Sequence, residues 1–525
     1  MISICYAKSI KALVRVILNI NEKFISFTIQ LRYYSTKLNY ILTLGQQMIK
    51  RIKGLEKLSL RLEPNASERE KLLRIVNEYA EDFLNNIQTL PAYKFTEGKG
   101  IGIYDSPISE EGSKIEDLLE ILKSNVDTPG LNPASRGHLG YIPGGGIYHS
   151  ALGDFLAAVT NRYAGVFFAS PGAVRMENMM VNWMSEIIGY PASAGGNLTS
   201  GGSVANLVGI LAARDSVDLK AKDFERSVIY MTNQAHHSIK KAIRIVGLGE
   251  CVQRFIPVDK GWRMRSELLE AAINKDIKDG LNPFLIIASA GTTDTGAVDP
   301  LDMIGEIASN HKIWFHLDAA YGGFFVLADS AKAILKGIDR PDSIIMDPHK
   351  GLFLPYGSGA VLVKEKSNLL KSNHYKANYM QDAAVSNDEL APGDLSPELS
   401  KHFRGLRMWL PLKLLGVAPF RDSLEEKLLL ARYFYEKLSE IKGFEMGQYP
   451  DLSVVTFRYI PPQGDVNEFN KRLVNEIQRD ERLFLSSTTL EGKFIIRLAV
   501  LSFRTHLDTI DETIGIIKEK LALIL

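Results

Sequence analysis

The chain has 525 residues, of which 46% are hydrophobic and 23% are charged, and its formal net charge is +1 at pH 7. These values fit a globular protein of two or three domains, and a charge so close to zero gives no electrostatic basis for binding nucleic acid or an acidic partner. The two cysteines, Cys5 and Cys251, are too few for a disulfide framework or a zinc cluster, so we expect a reducing compartment and no metal site.

Residues 1–47 differ in charge from the rest of the chain. They contain six Lys or Arg residues and one Glu, a basic and partly amphipathic pattern that is typical of a mitochondrial presequence. An extension without function, with the working protein beginning near Met48, is an equal alternative. Basic residues interrupt every apolar run, which predicts no transmembrane span and no membrane partner. We therefore expect a cytoplasmic protein, or a mitochondrial one if this segment is a presequence.

Residues 48–132 form a predicted N-terminal helical segment. Apolar residues recur at helical spacing between Ala66 and Leu84, with Ser67 as the expected N-cap, and a second amphipathic stretch covers residues 115–122. The segment carries no residues that suggest catalysis, so we expect it to serve packing or dimer contacts.

From residue 133 to 420, apolar strands alternate with helical segments, which predicts an α/β domain built on a mostly parallel sheet with helices on both faces. The expected strands are 227–231, 284–288, 313–317 and 343–346. Loops that come after parallel strands meet at one edge of the sheet, where ligands bind. Residues 421–525 change to a small α+β pattern, and we expect this C-terminal domain to close over the site.

Lys350 comes after the apolar run Ile344–Met346, which is expected to be a buried strand. Pro348 ends that strand, so Lys350 is predicted to lie at the edge of the sheet. A lysine beside apolar sequence can lose its hydration and act as a nucleophile, although a single lysine is far more often a surface residue. Its significance therefore depends on the loops upstream.

Four upstream loops carry side chains that suit one ligand. Asp318 ends a predicted strand, and its carboxylate could pair with the nitrogen of a pyridine ring and make the ring an electron sink. The loop with Gly202 and Ser203 opens a helix whose N-terminal amides could bind a phosphate. His236 could stack on an aromatic ring, and the loop with Thr293 adds hydroxyl groups. Each signal is weak by itself, because helix caps and turns use the same residue types.

Together these loops resemble the group II amino-acid decarboxylases, pyridoxal-phosphate enzymes of the aspartate aminotransferase fold, also called fold type I. The resemblance covers about residue 60 to the C-terminus. Its most specific parts are Gln234-Ala-His236, His316-Leu-Asp-Ala-Ala-Tyr321, Pro348-His-Lys350 and Phe403-Arg-Gly-Leu-Arg-Met-Trp409.

The resemblance implies a role for each matching residue. Lys350 would bind pyridoxal 5'-phosphate as a Schiff base, Asp318 would pair with the pyridinium nitrogen, and His236 would stack on the ring; these three are the expected catalytic residues. Further expected cofactor contacts are Gly202, Ser203, Thr293, Ala320, Asp347 and His349, and the expected substrate contacts are Pro143 and Gly144.

The chain departs from the family pattern at several positions. Gly144 stands where aromatic members have a hydroxyl residue, and Asp347 replaces an asparagine that contacts the phosphate. Residues 380–394 contain no tyrosine to act as the proton donor. Either Tyr379 or a histidine supplies the proton, or the product becomes an aldehyde through oxygen-dependent deamination. Ser396, with a proline immediately after it, predicts the start of a helix beyond this stretch.

The resemblance implies a lyase that decarboxylates an L-amino acid, and the bulky pair Phe167-Phe168 favours an aromatic substrate such as tryptophan, tyrosine or dopa. An acidic or basic substrate such as glutamate or diaminobutyrate, a same-fold aldehyde synthase or lyase, and a cofactor-binding scaffold without turnover are the alternatives. The family builds its site at a two-fold interface, which predicts a homodimer with a shared active site.

Overall fold

The computed structural model describes residues 2–374 and 389–525. These residues form two compact units: the first ends at Phe83 and also includes Lys114–Glu116, and the second comprises Leu84–Ser113 and Asp117–Leu525.

The helices of the described residues cover both units. They are α1 Ile2–Ser59, α2 Ala66–Asn86, α3 Ile115–Leu122, α4 Tyr148–Thr160, α5 Pro171–Ile188, α6 Gly202–Ser216, α7 His237–Ile245, α8 Ser266–Lys278, α9 Leu301–His311, α10 Pro348–Gly351, α11 Ser367–Asn373, α12 Arg404–Leu415, α13 Ala418–Ser439, α14 Val466–Arg479 and α15 Leu507–Ile524.

The strands of the described residues lie in the second unit. They are β1 Tyr93–Lys94, β2 Gly130–Leu131, β3 Gly195–Thr199, β4 Ser227–Met231, β5 Val252–Phe255, β6 Asn282–Ser289, β7 Trp314–Asp318, β8 Ser343–Met346, β9 Gly359–Val363, β10 Phe444–Met446, β11 Val454–Tyr459, β12 Ser486–Leu490 and β13 Lys493–Ala499.

The segment predicted to be helical, residues 48–132, contains the end of α1 together with α2 and α3, and it also contains the short strands β1 and β2. Helix α1 continues across residue 47, so no end of secondary structure coincides with the boundary predicted there. The N-cap prediction at Ser67 was wrong, because α2 begins at Ala66 and Asn65 is its N-cap residue. The amide N–H of Glu68 donates to Oδ1 of Asn65 at 3.1 Å, and Asn65 N–H donates back to the Glu68 carboxylate at 2.8 Å. This reciprocal pair is a capping box, which satisfies two donors that the first turn leaves without helical partners.

The central sheet has seven strands in the order β3-β9-β8-β7-β6-β4-β5. Strands β8, β7, β6, β4 and β5 are parallel, and β9 runs antiparallel to both of its neighbours. Strand β3 therefore points in the same direction as the parallel set. The mostly parallel α/β sheet is confirmed, and the four strands predicted from sequence correspond to β4, β6, β7 and β8.

The central sheet is buried on both faces. Val228 and Tyr230 of β4 belong to one apolar cluster, while Ile229 and Met231 belong to another. Since successive strand residues point to opposite faces, each face packs its own apolar layer. Burial on both faces explains why β4 is a nearly continuous apolar run. It also holds in place the sheet edge that carries the loops.

The C-terminal part contains a four-stranded antiparallel sheet in the order β10-β11-β13-β12. Its apolar cluster includes Phe457 of β11, Phe434 of α13, Leu473 of α14 and Ile517 of α15. The predicted α+β pattern is confirmed here, and the predicted domain boundaries at 47, 132 and 420 stay predictions.

The helix predicted at Ser396 is absent from that stretch of the described residues. The Ser396 hydroxyl accepts the N–H of Glu398 at 3.1 Å in a local turn, and the next helix, α12, begins only at Arg404. A serine–proline pair does begin α5, at Ser170. The same dipeptide thus forms a turn or a helix start, depending on the residues after it. Among the described residues, no helix is both long and apolar enough to cross a lipid bilayer.

Candidate functional site

A cavity of about 290 Å³ lies at the carboxyl ends of the central strands. This volume is close to the lower end of the range of small-molecule sites, ~300 Å³. The loops after β3, β4, β6, β7 and β8 line it, as expected for an open α/β sheet. Of the residues predicted to act here, nine line the cavity: Gly202, Ser203, His236, Thr293, Asp318, Ala320, Asp347, His349 and Lys350.

The two predicted substrate residues are placed differently. Ile142 lines the cavity, whereas Pro143 and Gly144 are not among its lining residues. A Cβ atom at Gly144 would lie 2.1 Å from the carbonyl oxygen of His349, so only glycine fits at this approach. The absence of a side chain at residue 144 is therefore a packing requirement of this chain. A direct substrate contact from residues 143 and 144 stays a prediction.

Lys350 lies in the short helix α10, which begins immediately after β8. Asp347 precedes this helix as its N-cap residue, and Pro348 occupies the first turn, where its missing N–H costs nothing. The Lys350 Nζ is 3.0 Å from Oδ2 of Asp347, and the lysine side chain is 24% exposed. The amine is therefore held at the cavity wall and remains accessible to a ligand.

A chain of hydrogen bonds behind the cavity fixes the orientation of Asn206. The Ser343 hydroxyl accepts the indole N–H of Trp314 at 2.9 Å and lies 2.8 Å from Nδ1 of His316. Because Oδ1 of Asn206 can only accept, the ring proton of His316 is on Nε2 and is donated to this oxygen at 2.9 Å. Burial lowers the pKa of His316 to about 4, in agreement with a neutral ring. The Asn206 amide is thus held with its NH₂ group toward the cavity.

The NH₂ group of Asn206 connects the two predicted ring contacts. It donates to Oδ2 of Asp318 at 3.0 Å and to the Ser238 hydroxyl at 3.1 Å. The Ser238 hydroxyl in turn lies 2.7 Å from Nδ1 of His236 and donates to it. The second oxygen of Asp318 accepts the N–H of Ala320 at 3.2 Å. Both the carboxylate and the imidazole are therefore oriented by one buried network.

His236 is the N-cap residue of α7, and its ring faces the cavity in a fixed tautomer. Its Nδ1 also accepts the backbone N–H of Ser238 at 3.3 Å. Burial lowers the pKa of His236, and the Asp318 carboxylate opposes this only in part. The ring is therefore neutral with its proton on Nε2, and such a flat uncharged imidazole suits stacking on an aromatic ligand.

The loop between β3 and α6 is shaped to receive an anion. Gly201, at φ +155°, precedes the first turn of α6. Among the described residues, a Cβ here would have one atom within 4 Å, a ring carbon of His349 at 3.7 Å. Ser203 lies in the first turn, where backbone N–H groups lack helical acceptors and the helix dipole is positive. A phosphate group is stabilised at such a terminus.

Asp347 brings a negative charge to the same loop. A Cβ at Gly202 would lie 2.9 Å from Oδ2 of Asp347. The other carboxylate oxygen, Oδ1, is buried and has no hydrogen-bond partner among the described residues, and the same is true of Oε1 of Gln234. The loop thus combines a positive helix end with an opposing carboxylate, which Lys350 compensates.

The cavity fits pyridoxal phosphate in its donor set. It offers an amine at Lys350, a carboxylate at Asp318, an aromatic ring at His236 and a helix N-terminus at the loop with Gly202 and Ser203. The buried Oε1 of Gln234, which has no partner among the described residues, is a further acceptor for a ligand. The carboxylate of Asp347 is the feature that opposes a phosphate.

Thr293 is held from the C-terminal part of the chain. Arg497 of β13 donates to the carbonyl of Thr293 and to that of Asp294, the latter at 2.7 Å, and also to the Ser486 hydroxyl at 2.7 Å. The Arg497 side chain is buried, so these bonds fix the loop after β6. A residue of the C-terminal part thus positions the loop with Thr293, and closure of a C-terminal domain over the site stays a prediction.

Several of these residues were missed by sequence reasoning. Asn206 lies in α6 and Ser238 in α7, each shortly after a predicted loop, but an amide and a hydroxyl give no signal that distinguishes them from ordinary helix residues. Nothing near Arg497 in the sequence points to this site. Conversely, the pair that favoured an aromatic substrate does not line the cavity: Phe167 is buried and Phe168 is 61% exposed. The proton-donor prediction falls largely on residues 375–388, which lie outside the described residues.

Comparisons with known proteins bear on the expected cofactor, pyridoxal phosphate. The family model of the pyridoxal-dependent decarboxylase conserved domain matches residues 103–460. An aromatic-L-amino-acid decarboxylase from Bacillus atrophaeus is 35% identical over 403 residues, which cover 76% of this chain and 84% of the relative. A phenylacetaldehyde synthase from Petunia hybrida is 30% identical over 473 residues, which cover 85% of this chain and 93% of the relative.

The fold is similar to a crystal structure of Oryza sativa TDC with PLP and tryptamine. The TM-score is 0.83 at 24% sequence identity, and the match covers 88% of this chain and 99% of that one. The predicted fold type I architecture is thereby confirmed.

Proposed function

The chain belongs to the pyridoxal-dependent decarboxylase family, and on that premise we propose that it converts an aromatic L-amino acid to the corresponding amine and carbon dioxide, with pyridoxal phosphate bound through Lys350. The observation that carries the proposal is that one cavity collects the Lys350 amine, the Asp318 carboxylate and the His236 ring. No two of these residues are neighbours in sequence, so the fold has assembled them.

The residues divide the work according to their chemistry. Pyridoxal phosphate supplies an electron sink that takes up the electron pair left on the substrate when carbon dioxide departs. Lys350 would hold the cofactor through its amine. Asp318, held by Asn206, would accept a hydrogen bond from a protonated ring nitrogen, and the neutral His236 would stack on the ring. The N-terminus of α6 would hold the phosphate.

The substrate class rests on relatedness. The Bacillus atrophaeus relative is an aromatic-L-amino-acid decarboxylase and is 35% identical over most of both chains. The phenylalanines at 167 and 168 add no support, because neither lines the cavity. The relatives therefore favour an aromatic substrate. Turnover of an acidic or basic amino acid instead would revise this part of the proposal.

A single panel experiment tests the proposal. The purified protein is loaded with pyridoxal phosphate and given each of the twenty amino acids and dopa, and carbon dioxide and amine are measured together. We expect turnover with tryptophan, tyrosine or dopa and none in Lys350→Ala. Lys336→Ala is the matched control, because its side chain is 75% exposed and lies outside the cavity lining.

Borohydride reduction locates the cofactor independently of turnover. We expect visible absorbance in the loaded protein and a trapped adduct at residue 350 by mass spectrometry, both lost in Lys350→Ala and retained in Lys336→Ala. A protein that shows neither the absorbance nor the adduct contradicts the proposal.

A second candidate is an aldehyde synthase. Residues 380–394 contain no tyrosine to protonate the product, and the Petunia hybrida relative is a phenylacetaldehyde synthase. This activity consumes oxygen and water and releases carbon dioxide, aldehyde, ammonia and hydrogen peroxide, whereas decarboxylation consumes no oxygen and releases carbon dioxide and the amine. An oxygen electrode in the same panel therefore separates the two.

A homodimer with a shared active site is part of the proposal. Helix α2 presents Leu72, Leu73 and Val76 to solvent at 40%, 54% and 43% exposure, respectively, which suits burial against another subunit. Sedimentation of the loaded protein is expected to give a dimer at concentrations where it is active. An active monomer would contradict this part.

A further inference from the structure

Helix α1 carries an apolar seam with a seven-residue repeat. Reading heptads from Ile10 as position a, positions a and d up to residue 55 are apolar, except that Gly45 occupies one a position. The thirteen seam residues are each between 51% and 70% exposed. They are Ile10, Leu13, Ile17, Ile20, Phe24, Phe27, Leu31, Tyr34, Leu38, Ile41, Met48, Ile52 and Leu55.

The side of α1 opposite the seam is polar. Of the seven residues at position f, six are charged or hydroxyl-bearing and one is apolar: Arg15, Glu22, Ile29, Thr36, Thr43, Lys50 and Lys57. The seam therefore lies on one side of α1, and the helix is amphipathic and not apolar all round. A sustained a/d repeat of this kind is the pattern of a coiled coil.

The repeat length identifies what covers the seam. A straight helix has 3.6 residues per turn, so a stripe that repeats every 3.5 residues drifts around it by ~20° per heptad. Over six heptads this amounts to about 120°, and a flat surface such as a membrane would meet only part of the stripe. A second helix that supercoils with α1 stays in contact with the whole stripe. We propose that α1 forms a parallel, in-register coiled coil with α1 of a second copy of this chain.

The charges beside the seam agree with the parallel arrangement. In a parallel coiled coil, a g residue faces the e residue five positions later on the other helix. Arg51 at g would face Glu56 of the second copy, an attractive pair that the two-fold symmetry forms twice. The other cations at g, Lys23 and Lys37, would face Thr28 and Leu42, so no like charges meet.

The length of the seam is sufficient for a specific interface. From Ile10 to Leu55 it spans roughly 68 Å at 1.5 Å per residue, and a helix with side chains is about 10 Å wide. Two such faces bury on the order of 1,300 Å² in total, which lies within the usual range of stable protein interfaces, ~1,200–2,000 Å².

Disulfide trapping in the full chain tests the pairing directly. In a background with Cys5→Ser and Cys251→Ala, Leu31→Cys places a thiol at position a, where two parallel helices face each other within reach of a disulfide. Ile29→Cys, two residues away and 64% exposed, is the matched control at position f. Under mild oxidation we expect at least tenfold more cross-linked dimer from the position-31 variant. Equal cross-linking at both positions, or none at position 31, would overturn the proposal.

A second pair of variants separates self-association from membrane binding. Leu31→Asp is expected to abolish cross-linking through a cysteine placed at position 38, Leu38→Cys, whereas Ile29→Asp is expected to leave it intact. An unchanged urea-unfolding midpoint in both variants will show that the residues after α1 remain folded. If instead the chain pellets with phosphatidylglycerol vesicles and both aspartate variants lose this binding equally, α1 is a membrane helix and the proposal fails.

Discussion

Replacing Gly209 by alanine tests whether the network behind the cavity is rigid. Gly209 lies inside α6, where alanine is normally preferred to glycine by about 1 kcal/mol. A Cβ at this residue, however, would lie 2.6 Å from Cε1 of His316 and 2.9 Å from its Nδ1. The ring must therefore move by roughly 0.9 Å to reach ordinary contact, ~3.5 Å between carbon atoms.

That movement would lower the free energy of unfolding. The His316 ring is held by hydrogen bonds of 2.8 Å to Ser343 and 2.9 Å to Asn206, and stretching either one by this much takes it beyond bonding distance, ~3.5 Å. Overpacking costs about 1–3 kcal/mol, and a buried polar group left without a partner costs about 1–3 kcal/mol. After the gain in helix propensity, Gly209→Ala is expected to lower the free energy of unfolding by roughly 3 kcal/mol.

The assay is urea unfolding of the cofactor-free protein, and then titration with pyridoxal phosphate. Gly515→Ala is the matched control, because Gly515 also lies inside a helix, α15, and no atom of the described residues would lie within 4 Å of its new Cβ. We expect the control to be as stable as the wild type or up to about 1 kcal/mol more stable. Because Asn206 links the ring to Asp318, Gly209→Ala should also bind the cofactor more weakly. A Gly209→Ala protein as stable as the Gly515→Ala control would refute the rigid network.

Three further predictions concern buried groups. Asp347→Asn removes the carboxylate that opposes the phosphate. We expect it to tighten the binding of pyridoxal phosphate about tenfold, or ~1.4 kcal/mol, in a fluorescence titration. Weaker binding would show that the charge is needed. Burial lowers the pKa of His138 and His316 to about 4 each, so the unfolded chain binds more protons than the folded chain between about pH 6.5 and 4. The free energy of unfolding should therefore fall as the pH drops through this window, by up to ~1.4 kcal/mol per pH unit for each histidine; a urea midpoint equal at pH 7 and pH 5 would contradict this. Ser343→Ala leaves the indole N–H of Trp314 and one ring nitrogen of His316 without their partner. Urea unfolding should show that the free energy of unfolding falls by about 1–3 kcal/mol for each group left unpaired. Wild-type stability would mean that the chain of bonds contributes nothing.

The sequence alone determined four of the seven central strands, namely β4, β6, β7 and β8, and the order of the chemical groups along the chain. Alternation of apolar strands with helices, and polar residues where each strand ends, were sufficient to place Lys350, Asp318 and His236 at one sheet edge. This works because strand period, turn chemistry and helix starts depend on a few neighbouring residues. Even so, the cap of α2 was assigned to Ser67 when Asn65 forms it, since two capping residues stood within one turn.

The tertiary structure alone decided how those groups are held. The strand order β3-β9-β8-β7-β6-β4-β5, the antiparallel direction of β9 and the close approach of Gly144 to His349 cannot be read from neighbouring residues. Asn206 bonds to Asp318 across 112 positions of sequence, and Arg497 reaches the loop after β6 across 203. Hydrogen bonds of this kind depend on which elements pack together, and packing is settled by the burial of whole apolar faces, which no single stretch of sequence contains.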